Sequence, residues 1–129
     1  YGFKAHVALN PAEAEARLRT ELANLGFGIL TEIDVAQTLS KKLGVSLKPY
    51  RILGACNPPF AYEALQAEPD LGLMLPCNLI VYVNEAQQTV IAAINPMDAM
   101  KGIDNPALAQ VATQVSARLK TAIEKVAAV

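Results

Sequence analysis

Hydrophobic positions recur along this chain with two different periods, and each period predicts a type of element. Between Pro11 and Leu25 the apolar residues return every three or four positions and the charged residues lie between them, as in an amphipathic helix. A short helix is predicted after Asp34, ending at Gly44. The longest apolar stripe predicts a C-terminal helix and comprises Leu108, Val111, Ala112, Val115, Leu119, Ala122, Ile123 and Val126.

Alternating and continuous apolar runs predict the strands. The first strand has Phe3, Ala5, Val7 and Leu9 on the more apolar side. Further strands are predicted over 27–35, 50–56, 77–83 and 89–94, with Phe27, Ile29, Ile33 and Val35 in phase in the first of these four. The polar residues 84–88 predict a tight hairpin between the last two strands.

Asn-Pro pairs mark the predicted helix starts, at Asn10, Asn57, Asn95 and Asn105, and only a helical turn is expected after Asn57. Asn is a favoured N-cap, and Pro is tolerated in the first helical turn because the missing N–H has no partner there. Glu13 follows Asn10 at the spacing of a capping box.

These elements predict one domain over residues 1–129, of the α+β class. We expect an antiparallel β-sheet with the two long helices packed on one face, in the order strand–helix–four strands–helix, with short extra helices. No glycine-rich phosphate loop follows a strand.

The strand over 77–83 is apolar on both of its faces, with Leu79 and Val81 on one side and Ile80 and Tyr82 on the other. The two long helices can cover only one face of the sheet. A second copy of the chain would cover the other, so the pattern predicts a homodimer.

Composition narrows the class of partner. The chain has eleven basic and twelve acidic residues and a formal net charge of -1, which argues against binding nucleic acid through phosphate neutralisation. No apolar run approaches the roughly 20 residues of a membrane span, so no membrane partner is expected. The cytoplasm is the expected compartment, and export by a segment once present before Tyr1 is compatible with this sequence.

Two similar segments, 53–58 and 75–78, contain the only two cysteines, and each cysteine is followed by Asn. If the strand ending at Cys56 neighbours the strand starting at Cys77, both thiols lie at one edge of the sheet, and a strand ending at Ile94 returns to that edge. We therefore predict a non-catalytic, dimeric ligand-binding or interaction module. Its pocket is expected at this edge, with an apolar loop over 67–76 above it, or between the helices and the sheet. The candidate ligand-binding residues are Cys56, Asn57, Cys77, Asn78, Asn95 and Tyr50.

Several chemistries remain open for these residues. Cys56 and Cys77 are interpreted as small buried apolar side chains, as a disulfide or redox pair, or as ligands of a soft metal together with a Met or His. His6, the only histidine, is either an ordinary strand residue or a metal or haem ligand. Glu32 and Asp34 are a solvated strand end and a helix cap, or paired carboxylates. A hydrolytic or acid–base enzyme has the least support, because few polar groups converge, and the cofactor is unknown.

Four segments together resemble a known family: Gly26 to Val35, Pro49 to Pro58, Leu75 to Asn78, and Ala92 to Pro96. The sequence is similar, over nearly its whole length, to the domain-of-unknown-function family numbered 302. The resemblance implies a fold like that of the TATA-binding protein, often as a dimer, and it brings no catalytic residues.

Overall fold

The computed structural model describes all 129 residues. The strands are β1 (Gly2–Val7), β2 (Gly28–Asp34), β3 (Tyr50–Cys56), β4 (Cys77–Val83) and β5 (Thr89–Ile94). The helices are α1 (Pro11–Asn24), α2 (Val35–Leu43), α3 (Pro58–Ala67), α4 (Pro96–Ala99) and α5 (Pro106–Ala127), with a 3₁₀ helix at Pro69–Met74. None of these helices combines the length and the apolar content that a membrane crossing requires.

The five strands form one antiparallel sheet in the order β1-β5-β4-β3-β2. The chain runs from β2 to β5 through neighbouring strands, and β1 pairs with β5 at the far edge. Leu53 lies opposite Leu79, and Leu79 lies opposite Ala93. This arrangement confirms the predicted α+β class.

The core lies between the sheet and the two long helices. Leu18 and Leu22 of α1 and Leu119 of α5 are fully buried in one cluster with Leu79 and Ile91 of the sheet. The alternate strand positions have their side chains on the opposite face, where Val90 is fully buried and several others stay partly exposed. We call this surface the outer face, and its partly exposed residues include Tyr50, Ile52, Ile80, Tyr82 and Ala92.

Side-chain caps fix the starts of three of the four helices that follow Asn-Pro pairs. Asn10, Asn95 and Asn105 each accept hydrogen bonds from backbone N–H groups of the following turn. Glu13 completes the predicted capping interaction, since Asn10 Nδ2 donates to its carboxylate. Asn57 is different, because its side chain does not cap the helix that it precedes.

Two predictions about local structure were wrong. A bulge between Ile29 and Thr31 changes the phase of β2, so Ile29 packs on the core whereas Ile33 pairs with Ile52 and is 47% exposed. The segment after Cys56 was predicted as a helical turn but forms the ten-residue helix α3. Its Pro-Pro start and small residues gave it only a weak apolar period.

Candidate ligand-binding site

A cavity of about 340 Å³ lies at the end of the sheet where β3 finishes and β4 begins. Its walls come from the end of β3, from α3, from the 3₁₀ helix and from the first three turns of α5. Sixteen of the nineteen residues that line it are hydrophobic, and none is charged. Leu30 and Leu65 belong to the lining and are 67% and 39% exposed, so the cavity reaches the surface beside them.

Packing between α3 and α5 forms the cavity. Phe60 and Ala64 of α3 face Leu108 and Val111 of α5 across it. The two helices run antiparallel. Asn105 at the start of α5 donates a hydrogen bond to the carbonyl oxygen of Ala67 at the end of α3, at 2.9 Å, and Arg118 further along α5 lies over Phe60 near the start of α3. Small side chains at Ala64 and Ala112 leave space that larger residues would fill.

The 3₁₀ helix at Pro69–Met74 completes the wall of the cavity. It lies within the segment 67–76, which was predicted as an apolar loop above the site. Leu71 is buried and lines the cavity together with Leu75, whereas Leu73 points to solvent. The peptide bond between Leu75 and Pro76 is cis.

Both cysteines line this cavity, and the strands that carry them are neighbours, as predicted. Cys77 lies opposite Ala55, one position before Cys56. Both are free thiols; Cys77 is buried and Cys56 is partly exposed. Burial, with a smaller contribution from Cys56, raises the pKa of the Cys77 thiol to about 11. Cys77 is therefore a neutral thiol at neutral pH, and a neutral thiol is a poor nucleophile.

Asn57 is the only amide side chain in the lining, and it is 8% exposed. Its Nδ2 donates a hydrogen bond to the carbonyl oxygen of Leu25 at 3.1 Å. This bond connects the start of α3 to the end of α1, next to Gly26, whose φ of 90° ends the helix. Asn57 thus positions the wall that carries Phe60.

The other predicted ligand-binding residues lie outside the cavity. Asn78 is exposed on β4 opposite Gly54. Asn95 caps α4 and accepts a hydrogen bond from Ser116 Oγ at 2.7 Å. Tyr50 is at the other end of β3, where its ring stacks on Tyr82 with centroids 5.2 Å apart. The structure brings Cys56, Asn57 and Cys77 together and leaves these three residues elsewhere.

His6 is also far from the cysteines. It lies on β1 opposite Val90, separated from β3 by β5 and β4, and borders an open depression with Asn10, Gln87 and Gln88. A metal site that combines His6 with Cys56 and Cys77 is therefore not formed. Nowhere in the chain do three His, Cys, Asp or Glu side chains come together in a metal-binding arrangement.

The two acidic candidates have structural roles. Asp34 accepts a hydrogen bond from Gln37 N at 2.9 Å and caps α2. Glu32 pairs with Arg19 of α1. Both observations match the interpretation of a solvated strand end and a helix cap.

Sequence reasoning missed most of the wall. Leu108 and Val111 were predicted only as part of the apolar stripe of the C-terminal helix, and Phe60 was given no role, because an apolar side chain looks the same whether it meets another side chain or an empty space. The alanines of α3 were the one available signal, since small residues between two helices leave room.

Comparison with known proteins agrees with this fold. The family model described as "Domain of unknown function DUF302" matches residues 3–126. A crystal structure of an uncharacterized conserved protein DUF302 from Bacillus stearothermophilus superimposes with a TM-score of 0.90 and 29% sequence identity, covering 97% of this chain and 97% of that chain. A search of curated proteins gives no match. The sequence match and the shared fold together show that this chain belongs to the DUF302 family.

Proposed function

We propose that this protein is a non-catalytic module that binds a small apolar molecule in the cavity between α3, α5 and the end of the sheet. The observation that carries the proposal is the cavity itself: about 340 Å³, apolar on nearly all sides and open at Leu30 and Leu65. Its volume falls within the range of about 300–1,000 Å³ that is typical of small-molecule sites.

The lining also indicates what the site does not do. It offers one amide, two thiols and no carboxylate, imidazole or ammonium group. General acid–base catalysis needs a titratable group near the working pH, and the raised pKa of Cys77 leaves that thiol protonated. The lining residues therefore support the binding of a ligand without a catalysed reaction.

A neutral fluorescent probe tests the proposal. N-phenylnaphthylamine should bind the wild-type protein with an increase in emission, and it should raise the melting temperature because it binds only the folded state. Ala112→Phe places a ring in the cavity and should abolish binding, while Ala109→Phe, at an exposed position of the same helix, should leave it unchanged.

Ala64→Leu is a second, milder way to fill the cavity from α3, and circular dichroism verifies that each variant folds. Absence of probe binding by the wild-type protein would contradict the proposal. Equal binding by the wild type and by both filled variants would place the probe elsewhere and contradict it as well.

The proposed module is a homodimer that associates through the outer face. The chain exposes 7411 Å². A monomer of its 13.7 kDa mass is expected to expose about 6,600 Å². The chain thus exposes more surface than is typical of a monomer of its mass, and a standard interface buries roughly 800 Å² on each partner. Partly exposed Ile52, Ile80 and Tyr82 supply apolar surface at the centre of this face.

Light scattering after size exclusion tests the dimer. The wild type should elute with twice the chain mass, and Ile80→Glu should halve that mass by placing a charge in the interface. Leu73→Glu, at a residue 90% exposed on the 3₁₀ helix, is the matched control and should remain dimeric. A monomeric wild type, or a dimeric Ile80→Glu protein, would contradict this assignment.

The alternative of a thiol redox or soft-metal protein is less supported by this geometry. The two cysteines are adjacent, yet Cys77 is buried and its thiol is held neutral, and no third His, Cys, Asp or Glu side chain joins them. A haem site at His6 is less supported, since the depression beside it is open and mixes apolar residues with the polar side chains of Asn10, Gln87 and Gln88.

A further inference from the structure

Arg118 continues the stripe of α5 that lines the cavity. Leu108, Val111 and Val115 line it at helical spacing, and Arg118 follows Val115 by three residues, so it lies one turn further along the same face. Phe60 confirms this placement: the ring lines the cavity, and the guanidinium carbon of Arg118 lies 4.7 Å from its centroid. A positive charge therefore lies next to Phe60, just beyond the residues that line the cavity.

The charge of Arg118 has no acidic partner within the chain. All six ion pairs involve other residues. Its one hydrogen bond to the protein runs from Nη1 to the carbonyl oxygen of Gln114 at 3.2 Å, within its own helix. The side chain is half-buried and is fixed against Phe60, so its remaining N–H groups are free to bind an anion.

The start of α3 adds to the positive potential beside Arg118. Pro58 and Pro59 have no N–H, so the backbone N–H of Phe60 is the first donor of α3, at the positive end of the helix dipole. The side chain of Asn57, which would ordinarily cap such a helix, is instead bonded to Leu25. Arg118 and this helix start lie together, because α3 and α5 run antiparallel.

We propose that the ligand of this cavity is an apolar chain ending in a carboxylate, with the chain in the cavity and the carboxylate on Arg118. The inference rests on the proposed function and adds the polarity and orientation of the ligand. A guanidinium offers two parallel N–H groups that match the two oxygens of a carboxylate, whereas an uncharged end group would use only one of them. Medium-chain fatty acids have this chemistry.

Isothermal titration with decanoate and with decanol at pH 7.5 tests the inference, because the two probes share a chain and differ in the charge of the end group. The wild type should prefer decanoate. Arg118→Met keeps the apolar stem of the side chain and removes the charge; it should weaken decanoate binding about tenfold, as expected for the loss of a charge-assisted hydrogen bond, and leave decanol unchanged. Lys120→Met removes an exposed charge from the same helix and should change neither affinity.

The outcomes separate this inference from the proposed function. If both probes bind the wild type and Arg118→Met alters neither affinity, the cavity binds apolar molecules but the carboxylate assignment is wrong. If neither probe binds, both proposals fail. Recovery of part of the preference for decanoate in Arg118→Lys would support a direct role of the charge rather than of packing against Phe60.

Discussion

Asn57 Nδ2 donates a hydrogen bond to the carbonyl oxygen of Leu25 across 32 positions of sequence, at 3.1 Å. Through this bond one side chain holds the end of α1 against the start of α3, and it does so at the edge of the cavity. The Asn-Pro motif predicted a cap for α3. The structure instead uses the amide to join two helices, which makes Asn57 a positioning residue for the cavity wall.

Asn57→Ala should therefore destabilise the protein, because it leaves a carbonyl oxygen without its partner at a site that is nearly closed to water. The free energy of unfolding should fall by about 1–3 kcal/mol in urea denaturation. Asn78→Ala removes an exposed amide from β4 and is the matched control, with an expected change of less than about 0.5 kcal/mol. Equal stability of the two variants would show that the bond to Leu25 contributes nothing.

Gly54 should not accept a side chain. A Cβ there would collide with Thr31 Oγ1 and lie 2.5 Å from Pro76 Cγ, so β2 or the segment at Pro76 would have to move. Gly54→Ala should lower the free energy of unfolding by about 1–3 kcal/mol.

Gly28→Ala is the control for Gly54→Ala, because no atom lies within 4 Å of a Cβ at that position. Its melting temperature should stay near that of the wild type. If Gly54→Ala has the same melting temperature as Gly28→Ala, the prediction is wrong, because the neighbours of Gly54 would then move without loss of stability.

Stability should fall at alkaline pH because of Cys77. The folded state keeps this thiol protonated up to a pKa of about 11, against an ordinary value of 9.0, so the unfolded chain releases the proton first as the pH rises. The stabilisation that the protonated thiol provides is fully present below about pH 9 and is lost as the pH rises toward 11. Its full size is about 2–3 kcal/mol, from roughly 1.4 kcal/mol for each pKa unit.

Measurements of unfolding free energy between pH 8 and pH 11 test this prediction. Cys77→Ala should have a flatter profile than the wild type, whatever its stability at pH 8. Cys56→Ala, at the partly exposed cysteine, should keep the steeper wild-type profile. Identical slopes in the wild type and Cys77→Ala would exclude the buried thiol as the cause.

Glu15 should contribute to stability at neutral pH and lose that contribution in acid. Burial raises the pKa of its carboxyl group, but the hydrogen bonds and charges of Arg51 and Arg19 outweigh burial and lower it below its usual value. Arg51 Nε donates to Glu15 at 2.6 Å, and the same interaction raises the pKa of Arg51. A lowered folded-state pKa means that the stabilisation is present above the ordinary value of 4.5 and disappears as the pH falls through the folded value.

Glu15→Gln should cost about 1 kcal/mol at pH 7, since the two arginines are only half-buried and solvent screens part of the attraction. It should also flatten the acid limb of the stability profile. Glu21→Gln, on the same helix but in none of the ion pairs, should leave both unchanged. A wild-type acid limb in Glu15→Gln would contradict the role of this carboxylate.

The sequence by itself determined the elements and most of their order. Three strands, 50–56, 77–83 and 89–94, have the predicted bounds, because their apolar runs end at turn-forming residues. The predicted stripe of α5 is buried at all of its positions. Periodicity and capping depend on neighbours within a few residues, so they can be derived without knowledge of the rest of the chain.

Only the tertiary structure decided the site. The neighbouring strands brought Cys56 and Cys77 together as predicted, but the cavity depends on the distance between α3 and α5, which no local pattern encodes. The bulge in β2 redirected Ile33, and the long-range bond from Asn57 replaced a predicted cap. Tyr50 and His6 lie at the opposite end of the sheet because strand direction, rather than residue type, decides which ends meet. Burial and hydrogen bonding of these residues depend on contacts between segments distant in sequence, and only the folded arrangement determines those contacts.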